Sequence, residues 1–158
     1  MDIFKQLMRD EDTERDKDGF HIAYKCSSGA WTIGYGHNFD ANPIAGVTKS
    51  TRLTEDQAVR ILRDDVTKIT SKLFRNMPWM LKLDDARKGV FINMAFNMGV
   101  NGLLKFKKTL KLAQEGDYTK ASVEMLNSDW TDQVGDGVGG CFDRAERLSK
   151  QMDTGVWQ

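Results

Sequence analysis

The first eleven residues place apolar side chains at helical spacing and then interrupt the pattern with a carboxylate. Four apolar residues share one helical face: Ile3, Phe4, Leu7 and Met8. The next position on that face is Glu11, so the pattern predicts a helix over residues 2–11 that ends on a partly buried acid. Burial and the negative end of the helix dipole both oppose ionisation, and a carboxyl group that stays protonated can act as a general acid. The alternative is a glutamate at a helix end that simply faces solvent.

Two short segments alternate between apolar and polar residues, which is typical of strands. They are residues 20–26 (FHIAYKC) and residues 30–36 (AWTIGYG), and Ser-Ser-Gly joins them. This arrangement predicts a β-hairpin, because serine and glycine favour turns between strands. A hairpin centred near Gly29 would place Cys26 and Thr32 roughly opposite each other, as neighbours across a small site.

A long helix is predicted after a polar stretch, residues 37–52, that we expect to be irregular. Thr54 and Gln57 have the spacing of a capping box, and Pro78 ends the helical pattern. The apolar face of this helix repeats at helical spacing: Ala58, Leu62, Val66, Ile69 and Leu73.

The rest of the chain is predicted to be helical. Residues 86–99 are apolar nearly all round, which indicates a buried central helix that ends at a glycine. A helix over residues 106–116 follows, and Asp117 is placed to cap another that extends through Leu126. A last helix is predicted over residues 142–152.

Composition and charge narrow the classes of function. A chain of 158 residues with 40% hydrophobic and 29% charged residues fits one globular domain, and a net charge of +0 gives no footprint for nucleic acid. No apolar stretch is long enough to span a membrane, and the polar N-terminus does not resemble a signal peptide. We therefore expect synthesis in a cytoplasm and no membrane insertion.

The cysteines and glycines indicate no cofactor. Cys26 and Cys141 are too few for a disulfide framework, and neither has the spacing of a metal ligand to a histidine. Residues 135–140 (GDGVGG) follow no predicted strand, so we expect a flexible loop there and not a phosphate-binding loop. We expect neither a metal nor a cofactor.

Six segments occur in a fixed order along the chain: MDIFKQLMRDE, AYKCSSGAWTIGYGH, INMAFNMG, NGLLKFKK, SDW and RAERLSKQMDTGVW. Taken together, they resemble the phage-type lysozymes, the muramidase endolysins that cut bacterial cell walls. The resemblance extends from residue 1 to the C-terminus, and only the loops 12–19 and 38–52 fit loosely. No single segment identifies the family, but the ordered set does.

The resemblance implies a mostly helical, two-lobed α+β fold with a small antiparallel sheet in its N-terminal lobe. The expected parts are a β-containing lobe over residues 12–53, an inter-lobe helix over residues 54–76, and a helical lobe. Residues 77–158 would form that helical lobe together with the first helix, residues 1–11.

The resemblance also implies the catalytic residues. The family pattern is a glutamate at the end of the first helix, an aspartate or cysteine at a strand end, and a threonine six residues later. Glu11, Cys26 and Thr32 match this pattern. The implied reaction is hydrolysis of the β-1,4 bond between N-acetylmuramic acid and N-acetylglucosamine, with inversion at the anomeric carbon. Glu11 would protonate the departing oxygen, and Cys26 and Thr32 would hold the attacking water.

Three further residues match family positions around the site. Arg144 would approach Glu11 from the C-terminal lobe and orient it, although a nearby cation also favours the ionised carboxylate. Phe96 and Asn97, at the end of the central helix, would line the cleft. A structural interpretation stays open for both residues: Phe96 could be a core residue, and Asn97 could cap the end of the helix.

Two departures from the family pattern raise questions about the chemistry. A thiol with a pKa of about 8.5 is mostly neutral at pH 7. Either a local cation lowers the pKa of Cys26, or Cys26 mainly positions water and shares that work with Thr32. The segment between the acid and the cysteine is also longer than in the family, which makes Glu14 an alternative acid. We favour Glu11 because it completes the apolar helical face.

Other functions remain open at this point. A cysteine–histidine amidase or peptidase could use Cys26 and His37, a lytic transglycosylase could use the glutamate alone, and an inactive wall-binding module could share the fold. For the muramidase, the expected partner is bacterial peptidoglycan. We expect a monomer that waits in the host cytoplasm until a holin-like pore admits it to the cell wall.

Overall fold

The computed structural model describes residues 1–127 and 141–158, and side chains within the second segment from residue 144 onward. Its helices and two small antiparallel sheets confirm the predicted α+β fold class. The chain divides into two compact units, Leu7–Lys68 and Met1–Gln6 with Ile69–Gln158. The division into lobes at residues 53 and 76 stays a prediction.

The first unit contains every strand found in the described part of the chain. Helix α1 spans Ile3–Asp10 and begins outside this unit. The strands are β1 (His21–Ile22), β2 (Tyr24–Lys25), β3 (Trp31–Ile33), β4 (His37–Asn38) and β5 (Arg52–Leu53). Strands β2, β3 and β4 form one antiparallel sheet in that order, and β1 pairs with β5 in a second sheet.

The prediction of one continuous strand over residues 20–26 is wrong. The chain passes from one sheet to the other at Ala23, so that β1 and β2 have different partners. His21 occupies a polar position of the alternating segment, yet its side chain is fully buried, because Thr13 and Glu55 satisfy both ring nitrogens. Residues 37–52 are also not wholly irregular, because β4 forms the start of this stretch and β5 begins at its last residue.

The predicted hairpin is present, but its register differs from the expected one. Tyr24 lies opposite Thr32, and the backbone N–H of Cys26 donates to the Ala30 carbonyl over 3.0 Å. The turn is therefore centred on Ser28 and not on Gly29. The reason is a three-residue loop whose last position needs a left-handed conformation, which Gly29 adopts at φ 84°.

Helix α2 spans Glu55–Asn76, and the boundary between the two units falls within it. The predicted capping box is confirmed: the Thr54 N–H donates to Gln57 Oε1 over 2.9 Å, and the Gln57 N–H donates to Thr54 Oγ1 over 3.2 Å. The predicted apolar face is buried at Ala58, Leu62, Val66 and Leu73. The face thus anchors α2 in the core on both sides of the boundary.

The second unit is helical. After a 3₁₀ helix (Pro78–Lys82) it contains α3 (Asp85–Met98), α4 (Val100–Leu104), α5 (Lys107–Gln114), α6 (Tyr118–Leu126) and α7 (Cys141–Thr154). Helix α3 is the buried central helix that the sequence predicts, and it packs against α4 and α7. Asp117 caps α6 by accepting the Lys120 N–H over 3.2 Å, which confirms the predicted cap.

Some sequence features lie outside the described residues. These are the SDW segment (128–130) and the glycine-rich segment (135–140). Within residues 1–127 and 141–158, no helix has both the length and the apolar character required to cross a membrane.

Candidate active site

Glu11 lies immediately after α1 and is half-buried. Its backbone N–H donates to the Leu7 carbonyl over 2.8 Å, so the residue completes the last helical turn. Leu7 is fully buried on the same helical face. Glu14, the alternative acid, is exposed, and its carbonyl accepts the Ile22 N–H over 3.0 Å. Glu11 is therefore the more sheltered of the two carboxyl groups.

Cys26 follows β2 directly and carries a half-buried free thiol. Its Sγ lies 3.0 Å from Ser28 Oγ. Burial opposes ionisation of the thiol, but hydrogen bonds from Ser28, from the Thr32 side chain and from the Ala30 backbone outweigh it, so the pKa of Cys26 lies below its ordinary value. The neighbouring cation in the sequence is Lys25, whose Nζ lies over the Trp31 ring, 5.6 Å from its centroid. Hydrogen-bond donors thus lower the thiol pKa here.

Thr32 lies on β3, 3% exposed, on the same face of the sheet as Cys26. Its Oγ1 is 3.1 Å from the Ala30 carbonyl oxygen, to which it donates, and it is also within hydrogen-bonding reach of the Cys26 sulfur. A hydroxyl group has one hydrogen, so these two acceptors compete for it. When Ala30 takes that hydrogen, the lone pairs of Thr32 Oγ1 are available to accept a hydrogen bond from water.

Tyr24 connects the residue after Glu11 to the strand that precedes Cys26, and no sequence pattern described above identified it. Its hydroxyl donates to the Asp12 carbonyl over 2.7 Å, which ties the residue after Glu11 to strand β2. Burial raises the pKa of Tyr24, and the negative charges of Asp12, Glu11 and Cys26 raise it further. Both Glu11 and Cys26 therefore act on one hydroxyl group. Tyr24 shares a face with Cys26 at spacing i, i+2, and this spacing is the signal that could have identified it.

His37 is buried on β4, and both ring nitrogens are engaged. Nδ1 lies 2.7 Å from Asp65 Oδ2, and Nε2 lies 2.8 Å from the Asn42 carbonyl oxygen. Burial opposes protonation, but the Asp65 carboxylate and the Asn42 carbonyl outweigh it and raise the pKa of His37. An imidazole that donates from both nitrogens is a cation and cannot accept a proton from a thiol.

A second polar network joins the segment after Glu11 to the start of α2. Glu55 accepts hydrogen bonds from Tyr35, from His21 over 2.9 Å and from Arg15 over 2.7 Å. Burial raises the pKa of Glu55, but these three donors and the Arg15 charge outweigh it and lower the pKa to about 2. Thr13 Oγ1 lies 2.8 Å from His21 Nδ1. Neither histidine of the chain is therefore available to Cys26 as a base.

The remaining predicted site residues lie in the helical unit. Arg144 lies on α7 and is 5% exposed, whereas Phe96 is half-buried and Asn97 is exposed near the end of α3. The cap of α3 is Gly99, whose N–H donates to the Ala95 carbonyl, so Asn97 is not the cap residue. The proximity of Arg144 to Glu11 stays a prediction.

The described part of the chain offers no metal site. Within it, no three histidine, cysteine, aspartate or glutamate side chains are grouped as ligands for an ion. The chemical resources of the site are a sheltered carboxyl group, a thiol whose pKa is lowered, and a buried hydroxyl group. These groups suit proton transfer and the orientation of a water molecule.

Comparison with known proteins supplies the family. Residues 17–147 match the family model described as phage lysozyme. The matched region contains Cys26, Thr32 and Arg144, and it begins after Glu11 and Glu14. The match therefore covers most of the chain, although it does not choose between the two candidate acids.

Three relatives align with this chain over most of their own lengths. A protein named probable T4-type lysozyme 1 from Dictyostelium discoideum is 30% identical, over 84% of this chain and 86% of its own. Probable T4-type lysozyme 2 from the same organism is 32% identical, over 70% and 77%. An endolysin of Acyrthosiphon pisum secondary endosymbiont phage 1 is 33% identical, over 66% of this chain and 65% of its own. Together with the family match, these similarities show that this chain belongs to the phage lysozyme family and is a glycoside hydrolase.

Proposed function

We propose that this chain is an endolysin that hydrolyses the β-1,4 bond between N-acetylmuramic acid and N-acetylglucosamine in bacterial peptidoglycan. Membership of the phage lysozyme family and the similarity to a protein named endolysin support this substrate. The observation that carries the proposal is the arrangement around Tyr24: Cys26 and Thr32 share its face of the sheet, and its hydroxyl group donates to the carbonyl of Asp12, the residue after Glu11.

Glu11 serves as the general acid. A glycosidic oxygen leaves poorly unless it is protonated, and a positioned carboxylic acid supplies that proton as the C–O bond breaks. The position of Glu11 at the end of α1, with Leu7 buried one turn earlier, partly withdraws its side chain from solvent. Tyr24 fixes the backbone of the next residue, which limits the movement of the carboxyl group.

Cys26 and Thr32 hold the attacking water on the opposite face of the sugar. The water donates to the thiolate of Cys26 and to Thr32 Oγ1, whose own hydrogen is directed to the Ala30 carbonyl. An acid on one side and a water-binding pair on the other produce inversion at the anomeric carbon. The negative charge of the thiolate also stabilises the oxocarbenium-like transition state, as a carboxylate would.

Three residues of the helical unit complete the proposal. Arg144 orients the carboxyl group of Glu11, and Phe96 and Asn97 contact the glycan. The partial exposure of Phe96 and the exposure of Asn97 are consistent with ligand contact, because neither side chain is fully buried in the core.

The remaining expectations concern partners and location. We propose that the enzyme acts as a monomer on peptidoglycan and needs neither nucleic acid nor membrane insertion. It accumulates in the host cytoplasm and reaches the cell wall when a holin-like pore opens.

Product analysis tests the proposal. Purified peptidoglycan is digested, and mass spectrometry with an assay for reducing sugars and free amines identifies the bond that was cut. We expect N-acetylmuramic acid at new reducing ends and no new free amines, and NMR of the early product should show the α anomer. Anhydro-muramic ends would instead identify a lytic transglycosylase, and new amines would identify an amidase or peptidase. A loss of turbidity that is unchanged in Glu11→Gln would also contradict the proposal.

A further inference from the structure

The turn after β2 brings a second hydroxyl group to the cysteine. Residues 27–29 form the three-residue loop, closed by the Gly29 N–H to Cys26 carbonyl hydrogen bond of 2.8 Å. This geometry folds Ser28 back over the strand end, with Oγ 3.0 Å from Cys26 Sγ. Ser27 occupies the preceding position of the same turn, and both serines are exposed. The turn therefore offers a test residue and a matched control.

We propose that Ser28 is a positioning residue for glycoside hydrolysis, which holds the Cys26 sulfur as a hydrogen-bonded thiolate directed at the attacking water. The proposal rests on the function proposed above for Cys26. Ser28 acts only through Cys26 and contacts no substrate.

The distribution of hydrogen-bond donors explains why Ser28 matters. A thiolate accepts hydrogen bonds and donates none, so each neighbour must supply a hydrogen. Ser28 contributes its hydroxyl and its backbone N–H, Ala30 contributes a backbone N–H, and Thr32 contributes its hydroxyl. Thr32 can do so only when its single hydrogen leaves the Ala30 carbonyl, to which it donates over 3.1 Å. The Ser28 hydroxyl therefore leaves Thr32 Oγ1 able to accept from the water.

The proton balance of the step is complete without another reactant. The water oxygen bonds to the anomeric carbon as the bond to the leaving oxygen breaks. The proton of Glu11 moves to the leaving oxygen, and a proton of the water moves to the Cys26 thiolate. Afterwards Cys26 releases that proton to solvent and Glu11 takes one up, so both groups return to their initial states.

The experiment measures the thiol and the reaction separately. Cys141→Ala makes Cys26 the sole thiol, because the chain has two cysteines. This parent and its Ser28→Ala, Ser28→Thr and Ser27→Ala variants are compared by the rate of iodoacetamide alkylation against pH. The same four proteins are assayed for kcat and KM on peptidoglycan over the same pH range, and the products of the parent are identified by mass spectrometry.

We expect the midpoint of alkylation to rise by about one pH unit in Ser28→Ala, since a hydrogen bond to a charged group is lost. The acidic limb of the pH profile of kcat/KM should move to higher pH by the same amount. At pH values below this limb, kcat should fall about tenfold, with KM unchanged. Ser28→Thr should restore both values because it keeps the hydroxyl, and Ser27→Ala should resemble the parent.

Three results would overturn the inference. An unchanged alkylation midpoint in Ser28→Ala would show that the hydroxyl of Ser28 does not act on Cys26. An equal change in Ser27→Ala would show that the effect is not specific to Ser28. A changed midpoint with an unchanged pH profile would show that the contact does not serve the reaction. Failure of the proposed function is distinguishable, since the parent would then release products other than reducing muramic ends.

Discussion

Replacement of His37 by asparagine separates a structural histidine from a catalytic one. His37 donates to Asp65 and to the Asn42 carbonyl, so the structure assigns it a role in stability and not in proton transfer. Asparagine removes the cation but keeps a side chain that can still form hydrogen bonds. We expect the His37→Asn variant to unfold more easily and to retain its activity below its melting temperature.

The magnitude follows from burial and distance. The side chains of His37 and Asp65 are 5% and 17% exposed, and their atoms lie 2.7 Å apart. Removal of one partner from a buried pair costs about 3–5 kcal/mol, and the partial exposure of Asp65 favours the lower end, about 3 kcal/mol. For a chain of 158 residues, this corresponds to a decrease in Tm of about 6–12 °C.

The sign of the pH dependence follows from the direction of the pKa shift. The pKa of His37 is raised above 6.5, so the pair stabilises the fold fully below pH 6.5. That contribution is lost as the pH rises through the raised pKa of the folded state. The difference in Tm between wild type and His37→Asn should therefore be large at about pH 5.5 and smaller at about pH 9.

Calorimetry at several pH values and an activity assay at low temperature test this reasoning together. A double-mutant cycle with Asp65→Asn isolates the pair, and its coupling energy should show the same pH dependence. A Tm difference that grows with pH would refute the electrostatic argument. Activity reduced by about 10²–10⁴-fold in a folded His37→Asn variant would instead identify a general base and revive the amidase alternative.

Three further predictions concern stability. In α3, a Cβ at Gly89 would lie 2.3 Å from the Trp157 ring, so Gly89→Ala should destabilise the protein by about 1–3 kcal/mol in urea unfolding. In a Trp157→Ala background the same substitution should stabilise it by about 1 kcal/mol, and destabilisation in both backgrounds would contradict this reasoning. Glu55→Gln should lower Tm at neutral pH, and the difference should shrink as the pH falls from 4.5 to about 2, since wild-type Glu55 loses its charge there; a pH-independent difference in thermal scans would refute it. Asp117→Ala should cost about 1 kcal/mol because α6 loses its cap, whereas Asp117→Asn should cost less; equal losses in urea titrations would show that the cap hydrogen bond is not the cause.

The helices could be predicted closely because their signals are local. The capping box of Thr54 and Gln57 and the cap at Asp117 each depend on residues three positions apart, and both are present. The apolar character of α3 needs only its own sequence to indicate burial. The family resemblance likewise relied on ordered local segments, and the comparisons confirmed the family.

The sheets could be predicted only in part because their pairing is not local. The partner of β1 is β5, some thirty residues away, and no local pattern indicates that pairing. His21 is buried because Glu55, on another element, satisfies its ring. The register of the hairpin depended on which residue of Ser-Ser-Gly lies at the centre, and a shift of that centre moved Cys26 from Thr32 to Ala30. The contact between Ser28 and Cys26 was not predicted for the same reason.

The activities of Glu11→Gln and Glu14→Gln on peptidoglycan decide whether Glu11 is the general acid. Both substitutions remove an ionisable group and keep the shape of the side chain, and circular dichroism verifies that each variant is folded. The account predicts that Glu11→Gln loses about 10²–10⁴-fold in kcat and that Glu14→Gln, which is exposed, stays close to wild type. Loss of activity in Glu14→Gln alone would contradict the account.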